Sequence, residues 1–180
     1  MPIKGQGWEI LIKRAATQRR ASDGKVRTVG SYQVFHDGVA VPALAGMVAE
    51  SKGPGANNMK GVRIAAGSYG LATQDGGKYA TIHYNPNPNP AALRRPGIEL
   101  TGTGGRSEIL IHPGIGFLAS IGCINLCTSL PDASEPISFP GSRRRVIALI
   151  DDLKAFLGAK FPAKDGRPIP GAQVVIEGEP

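Results

Sequence analysis

Two side chains stand out for the chemistry they could perform, the thiol of Cys123 and the imidazole of His112, eleven positions before it. A cysteine attacks only as thiolate, and a neighbouring imidazole can hold that form as an ion pair well below the ordinary thiol pKa of about 8.5. His112 closes the apolar run Ile109-Leu110-Ile111 and is followed by Pro113-Gly114, which puts the ring at a strand terminus, where it can face a cleft. Gly122 allows a backbone amide to approach a reacting carbonyl with no Cβ in the way, and Ser120 adds a hydroxyl. Read so, Cys123 is the nucleophile and His112 the base of a peptide-bond-cleaving or transpeptidating site. The competing reading is structural, with Cys123 a small buried hydrophobe and His112 a satisfied strand-end histidine.

The elements that must position this pair are short strands. The chain has 180 residues, enough for one domain over 1–180 with a real core, and its 25 glycines and 15 prolines favour strands and turns over a helix bundle. Residues 8–14 and 26–36, rich in β-branched and aromatic residues around Ser22-Asp23-Gly24, predict an antiparallel pair, and Val39 to Glu50 can return as a third strand after Asp37-Gly38. Residues 51–58 read as a loop. Val62 to Ala72, Tyr79 to Tyr84 and Glu108 to His112 read as further strands, and Asn85-Pro86-Asn87-Pro88-Asn89-Pro90 as an extended excursion that cannot be a central strand. The spacing of Val146, Ile147, Leu149, Ile150, Leu153, Phe156 and Leu157 predicts a helix over about 143–161 with Ser142 as N-cap, covering one face of the sheet. Val174-Val175-Ile176 make a final edge strand or a tail. The expected fold is β-rich α+β, a sandwich or barrel-like sheet with one main C-terminal helix.

A formal charge of +7 favours polyanionic partners, nucleic acid, an anionic membrane face and the bacterial cell wall among them. With aromatic residues at 6% and no stacking platform between the basic clusters, nucleic acid is disfavoured, and the basic residues read as a solvated surface. No stretch reaches membrane-spanning length, and residues 1–7 do not resemble a signal peptide, so Sec export is not expected. The two cysteines are too few for a disulfide framework or, without further ligands, a structural metal site. Cys127 reads as packed beneath the site segment, although on a helical turn it could meet Cys123 as a redox pair. His36, beside Asp37-Gly38, reads as a turn residue. No cofactor or metal is expected.

The segment Ser120-x-Gly122-Cys123-Ile124-Asn125 resembles the signature of the L,D-transpeptidase catalytic-domain family, a histidine followed by Ser/Thr-His-Gly-Cys-hydrophobic-Asn, at five of its six positions. Ile64-Ala65-Ala66-Gly67-Ser68-Tyr69 is similar to the strand carrying that family's Pro-x-Gly-x-Tyr/Phe pattern, so the resemblance spans about 62–126, within a catalytic segment of 62–130. Ile121 stands where the family has a second histidine, and the interval from His112 to Ser120 is short, features of a divergent phage or bacterial branch. The resemblance implies that Cys123 attacks a carbonyl of a peptidoglycan stem peptide while His112 holds the thiolate and then protonates the leaving amine. The amides of Gly122 and Cys123 would stabilise the oxyanion, Ser120 would hydrogen-bond within the site, and Asn125, Arg106 and His83 are candidates for substrate binding. The product would be a cross-link, an exchanged peptide or a trimmed one. Three functional expectations follow: a peptidoglycan enzyme; an antibacterial effector with the same chemistry, acting in the periplasm or cell wall after non-Sec delivery or lysis and accompanied by a delivery or immunity protein; or a catalytically silent binding module.

Overall fold

In β1 (Trp8–Arg19), Trp8, Ile10 and Ile12 are fully buried at alternate positions, so one face of the strand lines the core. The computed structural model, which describes residues 2–180, pairs β1 antiparallel with β2 (Val26–His36), and β2 with β3 (Val39–Ser51), the meander that the alternation and turns predict. The remaining strands are β4 (Gly67–Thr73), β5 (Tyr79–Ala80), β6 (Arg95–Pro96), β7 (Ile98–Thr101), β8 (Leu110–Pro113), β9 (Ile124–Cys127) and β10 (Pro168–Glu177). Eight of them close into a barrel in the order β1-β10-β4-β7-β8-β9-β3-β2, while β5 and β6 form a separate two-stranded ribbon. Closure leaves none of the eight barrel strands as a sheet edge.

The predicted strands near the site are shorter in the structure. Residues 62–66 are not a strand, because their backbone bonds go to a loop: Arg63 N donates to Lys52 O, Ala56 N to Arg63 O and Ala65 N to Asn57 Oδ1. The strand expected over 79–84 stops at Ala80, since the amides of Ile82 and His83 donate to the carboxylate of Asp165 instead of a neighbouring strand. The C-terminal segment is neither edge nor tail. β10 lies between β1, its parallel partner, and β4, its antiparallel one, and a register shift between Ile169 and Gln173 absorbs Pro170-Gly171.

The helix α1 (Phe139–Leu157) begins four residues earlier than predicted. Ser138 is the N-cap, its hydroxyl accepting from Gly141 N, and Pro140 sits in the first turn, where its missing N–H costs nothing. Ser142, the expected cap, is buried and accepts a 2.8 Å hydrogen bond from Gly114 N, tying the helix to the end of β8. Val146, Leu149, Ile150 and Leu153 are buried in the same cluster as the barrel-lining Ile10, Val34, Ile111 and Ile124. Each contributes roughly 1.5–3 kcal/mol through that burial.

The basic residues are not all solvated. Arg14, Arg27 and Arg63 are buried, the first gripping Glu50 through two 2.8 Å bonds. No described helix is long and apolar enough to cross a membrane.

Candidate active site

β8 and β9 run parallel with His112 opposite Asn125 and Ile111 opposite Ile124. Cys123 directly precedes β9 and thus faces Leu110, two positions before His112 on the adjoining strand. Alternation sends Ile111, Ile124 and Leu126 into the core, so His112, Asn125 and Cys123 share the other face. Strand spacing and rise put the Cys123 and His112 backbones about 8 Å apart, and among the described residues no hydrogen bond joins the thiol to the imidazole. Cys123 and Cys127 thus flank a strand rather than a helical turn, and four residues of strand hold them roughly 13 Å apart. Both are free thiols, and Cys127 packs with Val29, Ala49, Leu130 and Ile137.

The thiol of Cys123 is half-buried and lies 3.4 Å from both Leu110 N, which donates to it, and Glu108 O, which accepts from it. Burial pushes its pKa up, opposed by the Leu110 amide and the charge of Arg106. The ring of His112 is almost completely enclosed; Nδ1 bonds Pro113 O at 2.8 Å, and this contact assigns the proton to Nδ1 and the lone pair to Nε2. Burial moves the His112 pKa down to about 4. Both directions favour a neutral thiol and a neutral imidazole at rest, unlike the ion pair the sequence suggests. A neutral imidazole with its Nε2 lone pair free is the form a general base requires.

The depressed imidazole pKa has a consequence for stability. Between its ordinary value near 6.5 and about 4 the unfolded chain binds a proton at His112 that the folded chain refuses, so stability falls as the pH drops through this window. The expected loss is roughly 3 kcal/mol by pH 4, read from urea midpoints at pH 7 and pH 4. His112→Gln should remove that part of the acid sensitivity; an equal acid loss in the variant would contradict the assignment.

Asn125 is completely buried: Nδ2 donates to His112 O at 3.2 Å, and Oδ1 accepts from Ala119 N at 3.3 Å. It positions His112 and the loop before Cys123, and has no surface to offer a substrate. The 120–122 turn is held from two sides. Ser120 Oγ donates to Cys123 O at 2.9 Å, while Ser51 Oγ accepts the Gly122 amide at 2.9 Å and donates to Ser120 O at 3.3 Å. The Gly122 amide is therefore engaged by Ser51, which leaves the Cys123 amide as the other candidate donor to an oxyanion. Gly122 has φ near +100°, and a Cβ there would meet the Arg106 guanidinium, so any other residue at this position would be strained.

Arg106 is committed to the protein as well. Its guanidinium bonds Ala56 O at 3.1 Å, Val62 O at 2.9 Å and Ile121 O at 3.5 Å, joining the 53–62 loop to the turn before the nucleophile. His83 is in neither a strand nor the Cys123 cluster; its Nδ1 lies 3.1 Å from Asp165 Oδ2 at the surface. His36, at the end of β2, meets Asp152 at 2.7 Å and stacks on Phe156.

Two neighbours escape sequence reasoning. The ring of Tyr79 lies against that of His112 with centroids 4.4 Å apart, and burial raises the Tyr79 pKa. Arg95 sits 4.8 Å above the other part of this stack, and its charge adds to the depression at His112. The Tyr79–Arg95 pairing of β5 with β6 brings them together. No local pattern signals that ribbon, which depends on residues sixteen positions apart.

The fold and site define a closed eight-stranded β-barrel packed against one main helix, with a histidine on one strand and a cysteine immediately before its parallel neighbour. No protein-family model matches the chain, and neither the curated proteins nor the solved structures contain a significant match to it.

Proposed function

We propose that the protein is a cysteine acyltransferase or peptidase of the L,D-transpeptidase kind, acting on peptidoglycan stem peptides. The observation that carries the reading is the placement of Cys123 and His112 on one face of adjoining strands, with Nδ1 of His112 bonded to Pro113 O and Nε2 left as the acceptor. In the forward step Sγ of Cys123 adds to a peptide carbonyl carbon as its proton passes to His112 Nε2. The C–N bond then breaks, the proton goes to the leaving amine and a thioester remains on Cys123. An acceptor amine resolves the thioester to a cross-link or exchanged peptide, and water resolves it to a trimmed peptide. Delivery as an antibacterial effector would use the same chemistry.

The raised thiol pKa and the engaged Gly122 amide favour a second reading, a catalytically silent module of the same fold. Incubating stem peptides of several lengths with wild type and with Cys123→Ala, followed by mass spectrometry of the products, separates the two. Cross-linked, exchanged or trimmed peptides formed by wild type alone support the enzyme; unchanged profiles throughout support the silent module.

A further inference from the structure

A groove of about 760 Å³ opens beside the nucleophile turn, bounded by Arg19, Arg20, Lys25, Lys52 and Phe117 and reaching Ser51, Ser120 and Ile121. Ser51 and Ser120 are the side chains that hold the Gly122 amide and the Cys123 carbonyl, so the groove adjoins the turn that precedes Cys123, although Cys123 itself does not line it. Its electrostatics are one-sided. Two of the four rim cations, Arg20 and Lys25, approach the carboxylate of Asp23, at 2.6 and 3.6 Å. Arg19 spends one bond on Gly24 O and keeps its charge exposed, and Lys52 is exposed too.

Beneath this rim lies a fifth cation. Arg27 is completely buried, yet its acceptors are Gln18 Oε1 and the backbone carbonyls of Phe117, Asp132 and Glu135, none of them a carboxylate. Phe117, in the groove wall, carries the guanidinium of Arg27 and that of Arg20 each 4.6 Å from its ring centre. The carboxylates of Asp132 and Glu135 act on this charge without bonding it, so Arg27 adds to the positive potential of the rim. The exposed side chain of Ile121 and the partly buried Leu118 add apolar lining, which suits a peptide carrying carboxylates better than a small inorganic anion.

We infer that this groove binds a peptide segment bearing at least two carboxylates. That the bound peptide is the acyl donor of Cys123 rests on the reading in the preceding subsection; the binding itself does not. The test uses the full chain carrying Cys123→Ala, so that no chemistry intervenes, and fluorescence anisotropy with two labelled pentapeptides, one with two side-chain carboxylates and one with both converted to amides. The dicarboxylate is expected to bind about tenfold or more tighter, the preference shrinking as salt is raised. Lys52→Glu and Arg19→Glu, both at exposed positions, should each erase most of that preference while the melting temperature stays unchanged. Equal binding of the two peptides, or a preference untouched by either reversal, would overturn the inference. So would tighter binding of a short duplex oligonucleotide that the same reversals weaken, since the groove would then serve nucleic acid. Product formation from stem peptides by wild type, together with equal pentapeptide binding, rejects the groove and leaves acyl transfer standing. Carboxylate-selective binding with no product supports the groove and rejects acyl transfer.

Discussion

Cys123→Ala is expected to lower acyl transfer by on the order of 10³-fold or more, because no other nucleophile stands in its place. His112→Gln should cost a comparable factor, and the double variant little more than either single one, since a nucleophile and its base act as a unit and their losses do not add. The two variants are nevertheless distinguishable. Alkylation of the wild-type thiol by iodoacetamide should rise with pH through a midpoint above the ordinary value near 8.5, because burial raises the Cys123 pKa. With His112 drawn down to about 4, that rise should show no plateau extending below neutrality. A low-pH plateau lost in His112→Gln would instead reveal a preformed thiolate–imidazolium pair and reverse the protonation states given above. Full activity in either single variant would remove that residue from the chemistry.

The second large effect is on stability. Glu50 and Arg14 meet through two 2.8 Å bonds with both side chains completely buried, and Arg14 also donates to Ile64 O at 2.7 Å. Glu50→Ala strands a guanidinium in the core, and a broken buried pair of this kind costs about 3–5 kcal/mol. Glu179 binds both Arg14, at 3.0 Å, and Arg63, at 2.7 Å, but its own side chain is 44% exposed, so Glu179→Ala should cost much less. Urea denaturation of the two variants measures the order. A Glu50→Ala protein no less stable than Glu179→Ala would mean that the carbonyls and Glu179 suffice to hold Arg14.

How much of this was readable beforehand depends on the range of the interactions. The β1–β2–β3 meander is written locally, in alternating apolar residues and in turns at Ser22-Asp23-Gly24 and Asp37-Gly38, and its pairing forms as read, although β1 runs on to Arg19, five residues past the expected end at 14. Helix α1 shows the same legibility in its apolar spacing, but its start does not. Ser142 reads as the cap in the sequence, but its hydroxyl is taken by Gly114 N, and Ser138 caps the helix. For β10, a Pro-Gly-rich entry suggests an edge, whereas pairing with β1 and β4 is settled by residues far apart in the chain. At the site, the types of Cys123, His112, Ser120 and Gly122 are visible in one short stretch. The partners that define their behaviour are not: Ser51, Arg106 and Tyr79 come from three other parts of the chain. Their contributions, an engaged amide, a clamped turn and a covered imidazole, come from a barrel strand, a loop and the separate β5–β6 ribbon.

The central claim, that Cys123 accepts an acyl group, is tested most directly by intact-protein mass spectrometry after rapid acid quenching of the protein mixed with stem peptides. The account predicts a mass increment equal to the donor peptide less its leaving amine, mapped to Cys123 by proteolysis, sensitive to hydroxylamine as a thioester is, and missing from Cys123→Ala. An unmodified protein at every quench time, with no products released, would contradict it.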